Sequence, residues 1–323
     1  MLVLGLQGSP RKKGNTRFLL DRFLEASAGI GARTVMVDAS RRNILPCREL
    51  TACERKGFCP LRDDMEDDIY ALITEADVIV VATPVFFYNM TAQLKALIDR
   101  CQVFWARKYR FKLKEPGIAQ RKGFLLSVGA SRGKQLFEAI ELSTRYFFDA
   151  VSAEYGGSLT YRGVENVGDL AVHKTVEKEV EKAVERIVKP LTMRKRIIFA
   201  CRENACRSQM AAAFARYLGG DKIDAISAGS KPVEKVNPVM QAVMAEKGID
   251  LAFARPRSLD KTIDVHRPEM IVTMGCESAC PNIEGVETIN WDLPDPAGQS
   301  KPVMQEVCTE IEKRIRVLTQ QNK

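Results

Sequence analysis

The segment of this chain whose chemistry is easiest to infer begins with a cysteine, which is followed after five residues by an arginine. Residues 201–208 read Cys-Arg-Glu-Asn-Ala-Cys-Arg-Ser. This spacing between a strand and a helix predicts an oxyanion cradle, because N–H groups of the turn and of the helix N-terminus point into the loop. Arg207 adds a planar fork for two oxygens of a tetrahedral anion. The positive field favours the thiolate of Cys201, and Ser208 can donate a hydrogen bond to its sulfur.

The neighbouring elements place this loop at a sheet edge. The apolar residues 197–200 predict a buried strand, and residues 209–218 predict a helix. Cys276 and Cys280 follow a second predicted strand at 270–273, so both thiols are expected at the carboxyl end of a parallel strand, where sites cluster. The alternatives are a packing cysteine in the loop and, for the pair, a metal site or plain packing. A zinc site needs four ligands, and the chain has only 2 histidines.

From residue 197 onward the sequence resembles the arsenate reductases built on the low-molecular-weight protein tyrosine phosphatase fold. The likeness rests on separated motifs: the 201–208 loop with Gln209-Met210, Ser227-Ala228-Gly229, Asn237-Pro238, Thr273-Met274-Gly275-Cys276 with Cys280-Pro281, and Asp292-Leu293-Pro294-Asp295-Pro296-Ala297-Gly298. The resemblance implies that Cys201 is the nucleophile, that Arg207 and Ser208 bind the oxyanion, and that Asp295 is the general acid. It assigns the rest of the oxyanion loop to Arg202, Glu203, Asn204, Ala205 and Cys206.

The implied reaction is the reduction of arsenate to arsenite by a thiol cascade. After Cys201 attacks arsenate, Cys276 attacks the Cys201 sulfur and releases arsenite, and Cys280 then forms a Cys276–Cys280 disulfide. The gap between the last two cysteines is shorter than in one well-known branch, so thioredoxin or a low-molecular-weight thiol is an alternative partner in the third step. Two other functions stay open: a phosphomonoesterase of the low-molecular-weight phosphatase type, against which Ala297 argues, and a thiol sensor of oxidant or arsenic.

The first half carries a second anion-binding pattern. Residues 2–6 predict a strand, Gly-Ser-Pro-Arg-Lys-Lys-Gly-Asn-Thr follows at 8–16, and the apolar spacing after it predicts a helix. Glycines permit close backbone approach, and hydroxyl and N–H groups at a helix N-terminus bind phosphate oxygens. The alternative is a polar strand–helix turn. Residues 78–82 predict another buried strand, which ends in Thr-Pro-Val-Phe-Phe-Tyr-Asn-Met at 83–90.

Residues 1–189 resemble the flavodoxin-like NADPH-dependent FMN reductases, including their iron–sulfur flavoprotein branch. The resemblance implies that the FMN phosphate is held by Ser9, Arg11, Asn15 and Thr16. It implies that the isoalloxazine ring is lined by Pro84, Val85, Phe86, Phe87, Tyr88 and Asn89, and is covered on its other side by the loop around Gly129. NAD(P)H is the implied electron donor and a homodimer the implied assembly. The alternative for the three aromatic residues is ordinary core.

Three cysteines lie between the second strand and the next helix of the first half. The iron–sulfur branch has four cysteines here, spaced by two, two and five residues. Cys47, Cys53 and Cys59 match the first, third and fourth positions, but Leu50 occupies the second. A cubane cluster normally takes four thiolates. An iron–sulfur cluster with an outside ligand, an unoccupied remnant and a redox thiol set are the alternatives.

Length and patterning predict two domains. At 323 residues the chain is long enough for both. An amphipathic pattern over residues 176–188, which Pro190 ends, places the boundary near residue 192. Both halves alternate strand and helix patterns, so the predicted fold class is α/β. By resemblance, a flavodoxin-like parallel sheet in residues 1–192 is followed by a low-molecular-weight phosphatase-like parallel sheet in residues 193–323.

Charge and composition limit the kinds of binding partner and the cellular compartment that we expect. The net charge is +8, and the basic residues 107–114 with interleaved aromatics indicate a solvated loop or the rim of an anionic-cofactor site. No nucleic-acid module accompanies them, so no nucleic-acid partner is expected. No apolar run approaches the roughly 20 residues of a membrane span. Nine cysteines beside a nucleophilic thiol loop, and an N-terminus without a basic leader, indicate the cytoplasm.

Overall fold

The computed structural model describes residues 1–275 and 283–321. The chain forms two compact units: residues 1–112 with 120–192, and residues 113–119 with 193–323. The elements of the first unit are β1 (Leu2–Gln7), α1 (Asn15–Gly29), β2 (Arg33–Asp38), α2 (Ala52–Lys56), a π-helical turn (Met65–Ile69) that runs into α3 (Tyr70–Glu75), β3 (Val78–Pro84), α4 (Ala92–Arg100), α5 (Gln102–Tyr109), β4 (Lys122–Gly129), α6 (Glu138–Ala150), β5 (Glu154–Arg162), α7 (Val176–Ile187) and α8 (Lys189–Thr192). Those of the second are β6 (Lys195–Cys201), α9 (Arg207–Gly219), β7 (Ile223–Gly229), α10 (Pro238–Glu246), α11 (Leu259–His266), β8 (Met270–Met274), β9 (Glu287–Asn290) and α12 (Lys301–Gln321).

The sheet of the first unit is wholly parallel and runs in the order β2-β1-β3-β4-β5. In this order the chain reverses direction across the sheet between β1 and β3, and ligands of doubly wound folds bind at such a switch point. Two hydrogen bonds hold the loops there together. The Gly8 N–H donates to the Ala82 carbonyl at 2.8 Å, and the Thr91 hydroxyl donates to the Gly8 carbonyl at 2.6 Å.

The core of the first unit explains why α7 forms as the sequence predicts. Its apolar positions Val176, Val180 and Val184 are buried in one cluster with α1 and the strands, while the intervening Glu and Lys side chains face outward. The helix ends at Ile187, before Pro190. Pro190 therefore does not end α7; it is the second residue of the next helix, α8. A proline in the first turn leaves no N–H unsatisfied, which is why the short helix tolerates it.

The second sheet is also wholly parallel, in the order β7-β6-β8-β9. Alternation along β6 puts Phe199 in the cluster with α9 and α12, and Ile198 in a smaller cluster with α11. Both faces of β6 are therefore buried, as the continuous apolar run predicts. The two sheets confirm the predicted α/β class. Among the helices of the described residues, none combines the length and apolar character needed to cross a membrane.

Candidate active site

Cys201 is the last residue of β6, and 3% of it is exposed. Its sulfur lies 2.9 Å from the Ser208 hydroxyl oxygen and accepts the Asn204 backbone N–H at 3.3 Å. The Ser208 oxygen also accepts a hydrogen bond from the Asn204 side-chain amide at 2.8 Å. Because that oxygen is already an acceptor, its own proton is available for the Cys201 sulfur. The loop thus aims two donors at the thiol.

Asn204 is the organising residue of this loop. It is fully buried with a left-handed backbone, φ 53°. Its side-chain oxygen accepts hydrogen bonds from the Gln209 side chain at 3.1 Å and from the Arg257 N–H at 2.9 Å. A left-handed non-glycine residue is uncommon, and asparagine is among the few residue types that adopt it readily. The sequence identified Asn204 only as a loop member, although an asparagine in a tight turn is the available signal.

Gly229, at the end of β7, lets the loop sit against the sheet. A Cβ there would lie 2.8 Å from the Arg202 carbonyl oxygen and 2.8 Å from the Asn204 nitrogen. In the sheet register Gly229 pairs with Cys201. The Ser227-Ala228-Gly229 motif therefore has a packing reason that the sequence alone did not supply.

The structure brings Asp295 onto Arg207. The guanidinium donates to the Leu293 carbonyl at 3.1 Å and pairs with the Asp295 carboxylate at 2.9 Å. Arg207 is buried, whereas 55% of the Asp295 side chain is exposed, so the carboxylate closes the fork on its solvent side. A Cβ on Gly275, whose φ is 72°, would lie 2.7 Å from the guanidinium. The glycine that follows β8 therefore leaves space for the Arg207 guanidinium.

The other loop residues have structural roles. Burial, with the nearby Cys201 as a smaller cause, raises the pKa of Cys206 to about 12. Cys206 therefore stays a thiol at neutral pH. Arg202 and Glu203 are exposed, but their carbonyls accept N–H groups of the segment after β7 at 2.8 and 3.1 Å. The Ala205 carbonyl accepts the Asn237 N–H at 3.0 Å, which ties the loop to the start of α10.

The expected resolving thiols, Cys276 and Cys280, lie outside the described residues. The strand that leads to them is described. β8 pairs with β6 in parallel, with Met274 opposite Cys201. The chain thus reaches residue 275 beside the oxyanion loop.

In the first unit, the residues of the predicted phosphate site lie in the loop between β1 and α1 and at the start of that helix. Ser9 and Thr16 are buried and Arg11 is exposed. The Ser9 hydroxyl oxygen accepts the Arg11 N–H at 3.3 Å, which leaves its proton for a ligand. The Asn15 side chain has other partners: it donates to the Asn166 carbonyl at 2.7 Å and accepts N–H groups of residues 168 and 170. The Asn15 side chain is therefore engaged within the unit, and its backbone N–H lies at the start of α1.

The three aromatics after β3 form a strained, exposed turn rather than core. Phe86 and Asn89 exchange backbone hydrogen bonds at 2.8 and 2.9 Å, and Phe87 and Tyr88 between them have φ of 47° and 59°. This is the backbone of a type I′ turn, which favours Asn-Gly and burdens aromatic residues. All three rings are exposed, Phe87 completely. Strain of this kind, held at a sheet switch point, is typical of ligand-binding loops.

The loop after β4 reaches this turn. A Cβ on Gly133 would lie 2.4 Å from the Tyr88 hydroxyl, and one on Gly129 would lie 2.8 Å from Leu136 and 3.0 Å from Val85. Pro84, the last residue of β3, pairs with Val128 in the sheet. The predicted ring-binding residues are therefore adjacent at the carboxyl edge of β3 and β4.

Cys47, Cys53 and Cys59 all line one pocket of 370 Å³, together with Leu50. None of the three is in a disulfide. Within residues 1–275 and 283–321, no group of three or more His, Cys, Asp or Glu side chains is placed to hold a metal ion. A four-thiolate iron–sulfur cluster therefore does not fit: one thiolate is replaced by Leu50, and the other three are not arranged as ligands.

Comparison with known proteins gives a separate match for each half. Residues 1–153 match the NADPH-dependent FMN reductase family, and residues 196–323 match the low molecular weight phosphotyrosine protein phosphatase family. An iron–sulfur flavoprotein of Methanosarcina thermophila is 40% identical over 132 residues, which cover 41% of this chain and 65% of that protein. An arsenate reductase of Bacillus anthracis is 36% identical over 126 residues, covering 38% of this chain and 92% of the relative.

A solved structure, the thioredoxin-dependent arsenate reductase of Corynebacterium glutamicum, is 29% identical with a TM-score of 0.36, over 47% of this chain and 77% of that one. The two family matches do not overlap: the first covers β1 to β4 of the first sheet and ends before β5, and the second starts within β6 and covers the rest of the second sheet. The chain therefore joins two families: its first half belongs to the NADPH-dependent FMN reductases, with iron–sulfur flavoproteins as relatives, and its second half to the low molecular weight phosphotyrosine protein phosphatases, with arsenate reductases as relatives.

Proposed function

We propose that the second unit reduces arsenate to arsenite with Cys201 as nucleophile. The observation that carries the proposal is the strand register: Met274 lies opposite Cys201, and Cys276 follows two residues later in the sequence. A second thiol so close along the chain suits a reductase, because arsenate must gain two electrons from thiols. A phosphatase has no use for it.

The first step forms a bond between sulfur and arsenic. The oxyanion takes the place of the Asp295 carboxylate at Arg207, where a planar fork can hold two of its oxygens. The Cys201 sulfur, held by the Asn204 N–H and the Ser208 hydroxyl, attacks arsenic. One arsenic–oxygen bond breaks, and Asp295 supplies a proton so that the oxygen leaves as water.

The second step carries the electrons. The Cys276 thiolate attacks the Cys201 sulfur, a sulfur–sulfur bond forms, and the sulfur–arsenic bond breaks with its electron pair on arsenic. Arsenic passes from the pentavalent to the trivalent state while two thiols become a disulfide. Cys280, thioredoxin or a low-molecular-weight thiol then resolves that disulfide, so the proposal includes an external thiol as an alternative third partner.

We propose further that the first unit binds FMN at its switch point. The Ser9 hydroxyl, the N–H groups at the start of α1 and the exposed Arg11 are the donors a phosphate needs. The exposed rings of the 86–88 turn offer aromatic faces to a flavin, and the loop around Gly129 lies beside them. Bound FMN would supply electron transfer from NAD(P)H to an acceptor.

In one chain, these two activities suggest that the flavin side re-reduces the thiol side. A covalent link raises the effective concentration of one site at the other without any new contact. The disulfide left by arsenate reduction is the acceptor we propose, reached directly or through a carrier thiol.

The test is arsenate-dependent NADPH oxidation by the FMN-loaded full-length protein, with and without thioredoxin, beside hydrolysis of p-nitrophenyl phosphate. Turnover without thioredoxin supports internal electron supply. Turnover only with thioredoxin supports the reductase and removes internal supply. Ester hydrolysis without arsenate turnover would instead establish a phosphatase, and disulfide formation without turnover a sensor.

Matched cysteine variants distinguish the loss of the thiol cascade from general damage to the protein. Cys276→Ser should abolish catalytic turnover. Cys308→Ser should not, because Cys308 is buried in α12 with its sulfur 3.7 Å from that of Met244, outside the oxyanion loop. A Cys276→Ser protein that still turns over arsenate would sink the cascade.

A further inference from the structure

Gln209 is a buried polar residue in the first turn of α9, and the proposed reaction does not use it. Only 5% of it is exposed. The two N–H groups of its side-chain amide face three oxygens: the Asn204 carbonyl, the Asn204 side chain and the Arg255 carbonyl, each at 3.1 Å. Its donors are therefore directed at the oxyanion loop and at the segment between α10 and α11.

These contacts fix which way the Asn204 side-chain amide faces. Its oxygen accepts hydrogen bonds from the Gln209 side chain at 3.1 Å and from the Arg257 N–H at 2.9 Å, so both of its lone pairs are used. In the reverse orientation the Asn204 NH2 group would meet two other donors, and buried donors without acceptors are costly. The Asn204 NH2 group is therefore directed at the Ser208 hydroxyl, 2.8 Å away.

The orientation of Asn204 decides the role of the Ser208 hydroxyl. Because the Ser208 oxygen accepts a hydrogen bond from the Asn204 amide, its single proton is directed to the Cys201 sulfur, 2.9 Å away. Hydrogen bonds donated to an ionisable group favour its charged form. Three hydrogen bonds thus connect Gln209 to the nucleophile, and the first of them begins at a residue outside the Cys201–Ser208 loop.

We propose that Gln209 is a positioning residue for the nucleophile: it acts through Asn204 and Ser208 to hold the Cys201 sulfur as a thiolate. The other donor to the Asn204 oxygen is the backbone N–H of Arg257, which a side-chain substitution does not remove. Gln209 is therefore the position at which the network can be changed while the loop residues stay the same. The effect on arsenate turnover rests on the proposed function, whereas the reactivity of the thiol does not.

The experiment measures the rate at which iodoacetamide alkylates Cys201 in the reduced full-length protein, from about pH 5 to about pH 9. Trypsin cuts after Arg196, Arg202 and Arg207. Cys201 and Cys206 therefore lie on separate peptides, residues 197–202 and 203–207, and mass spectrometry follows each thiol separately. The thiolate is the reacting species, so the dependence of the rate on pH reports how readily the thiol ionises.

The first variant is Gln209→Met, which replaces the amide by an apolar side chain of similar length and helix propensity. It should slow the alkylation of Cys201 by about 10-fold near pH 6 and leave the rate near pH 9 unchanged, because the lost donor matters only where thiol and thiolate compete. A loosened loop would instead raise the rate at every pH. Gln209→Ala removes the same donors by shortening the side chain, so the test does not depend on whether methionine fits the site.

Ser208→Ala tests whether the effect passes through the hydroxyl. If Gln209 acts through Ser208, Gln209→Met should slow alkylation in the parent protein but not in a protein that already carries Ser208→Ala. A residue that only stabilises the helix would have the same effect in both backgrounds. The double-mutant comparison therefore separates positioning from stability.

Gln241→Met is the matched control. Gln241 lies in α10 of the same unit, and its side-chain amide donates to the Leu251 carbonyl at 2.8 Å and to the Ala252 carbonyl at 3.4 Å. The substitution thus removes the same kind of contact from a helix to backbone carbonyls, without a hydrogen bond to the oxyanion loop being lost. The alkylation profile of Cys201 should stay unchanged, with thermal midpoints measured for all variants.

Three results would overturn the assignment: an unchanged profile in both Gln209 variants, an equal effect of Gln209→Met in the Ser208→Ala background, or the same loss in Gln241→Met. Alkylation needs no arsenate. Failure of arsenate turnover therefore leaves this inference standing, and an unchanged alkylation profile leaves the proposed reductase standing.

Discussion

Replacing Gly229 by alanine adds one methyl group behind the oxyanion loop. The new Cβ would lie 2.8 Å from the Arg202 carbonyl oxygen and 2.8 Å from the Asn204 nitrogen. Both are backbone atoms, so no side chain can swing away to relieve the contact. Ordinary van der Waals contact begins near 3.4 Å, so the loop must retreat by about 0.6 Å, the difference between 3.4 and 2.8 Å.

That retreat moves the N–H that holds the Cys201 sulfur. A misplacement of about 1 Å at a reacting centre costs about 100-fold in rate. For about 0.6 Å we expect kcat/KM for arsenate to fall by about 10- to 100-fold, or about 1.4 to 2.7 kcal/mol of transition-state stabilisation. The affinity for inorganic phosphate, a competing oxyanion, should fall as well, because the same loop binds it.

The assay is steady-state arsenate reduction with excess reductant, beside phosphate inhibition and a thermal midpoint. Gly29→Ala is the control, because a Cβ at that helix end meets nothing within 4 Å. Unchanged kcat/KM and phosphate affinity in Gly229→Ala would refute the packing argument. Loss of activity in Gly29→Ala would show that the assay reports general damage.

Three further outcomes are expected. The double substitution Phe87→Asn with Tyr88→Gly should raise the free energy of unfolding by about 1–2 kcal/mol, since Asn-Gly suits the strained turn. The same variant should bind FMN more weakly in a fluorescence titration, and tighter FMN binding would contradict a role for the rings. Asp63→Asn should lower the free energy of unfolding by about 3–5 kcal/mol, measured in urea, because the buried Arg100 charge loses its carboxylate partner; a change within about 0.5 kcal/mol would show the pair is dispensable. Native Cys206 should resist iodoacetamide, followed by peptide mass mapping, until the pH approaches its raised pKa of about 12, and labelling at neutral pH would show the loop opens.

The placement of Cys201, Arg207 and Ser208 in one loop of the second unit could be predicted because the three residues are close in the sequence. Cys201, Arg207 and Ser208 lie within one strand–loop–helix segment, so spacing alone describes the cradle. What holds the loop could not be predicted, because Gly229 and Gly275 act from other strands. Their role depends on which backbone atoms come within 3 Å, and that is set by sheet order.

In the first unit, contacts between residues far apart in the sequence also could not be predicted, and here they argue against an expected role. Asn15 has the right place in sequence for a phosphate ligand, yet its side chain is bonded to residues 166–170. A contact across about 150 residues leaves no local signal. Arg100 was likewise absent from the sequence argument, although it organises the cysteine segment through carbonyls that a sequence does not display.

The two proposed anion-binding loops share one arrangement, so the loop itself does not decide the chemistry. Each follows the first strand of a parallel sheet and leads into a helix whose N–H groups face the loop. The difference lies in the neighbouring strand. After β3 the chain exposes three aromatic rings on a strained turn, whereas β8, opposite Cys201, leads to Gly275 and the next cysteine. A flat, exposed aromatic edge suits a planar cofactor, and a buried thiol with a second thiol following suits electron transfer through sulfur. The residues one strand away from the anion loop are therefore the ones to exchange in any attempt to convert either site.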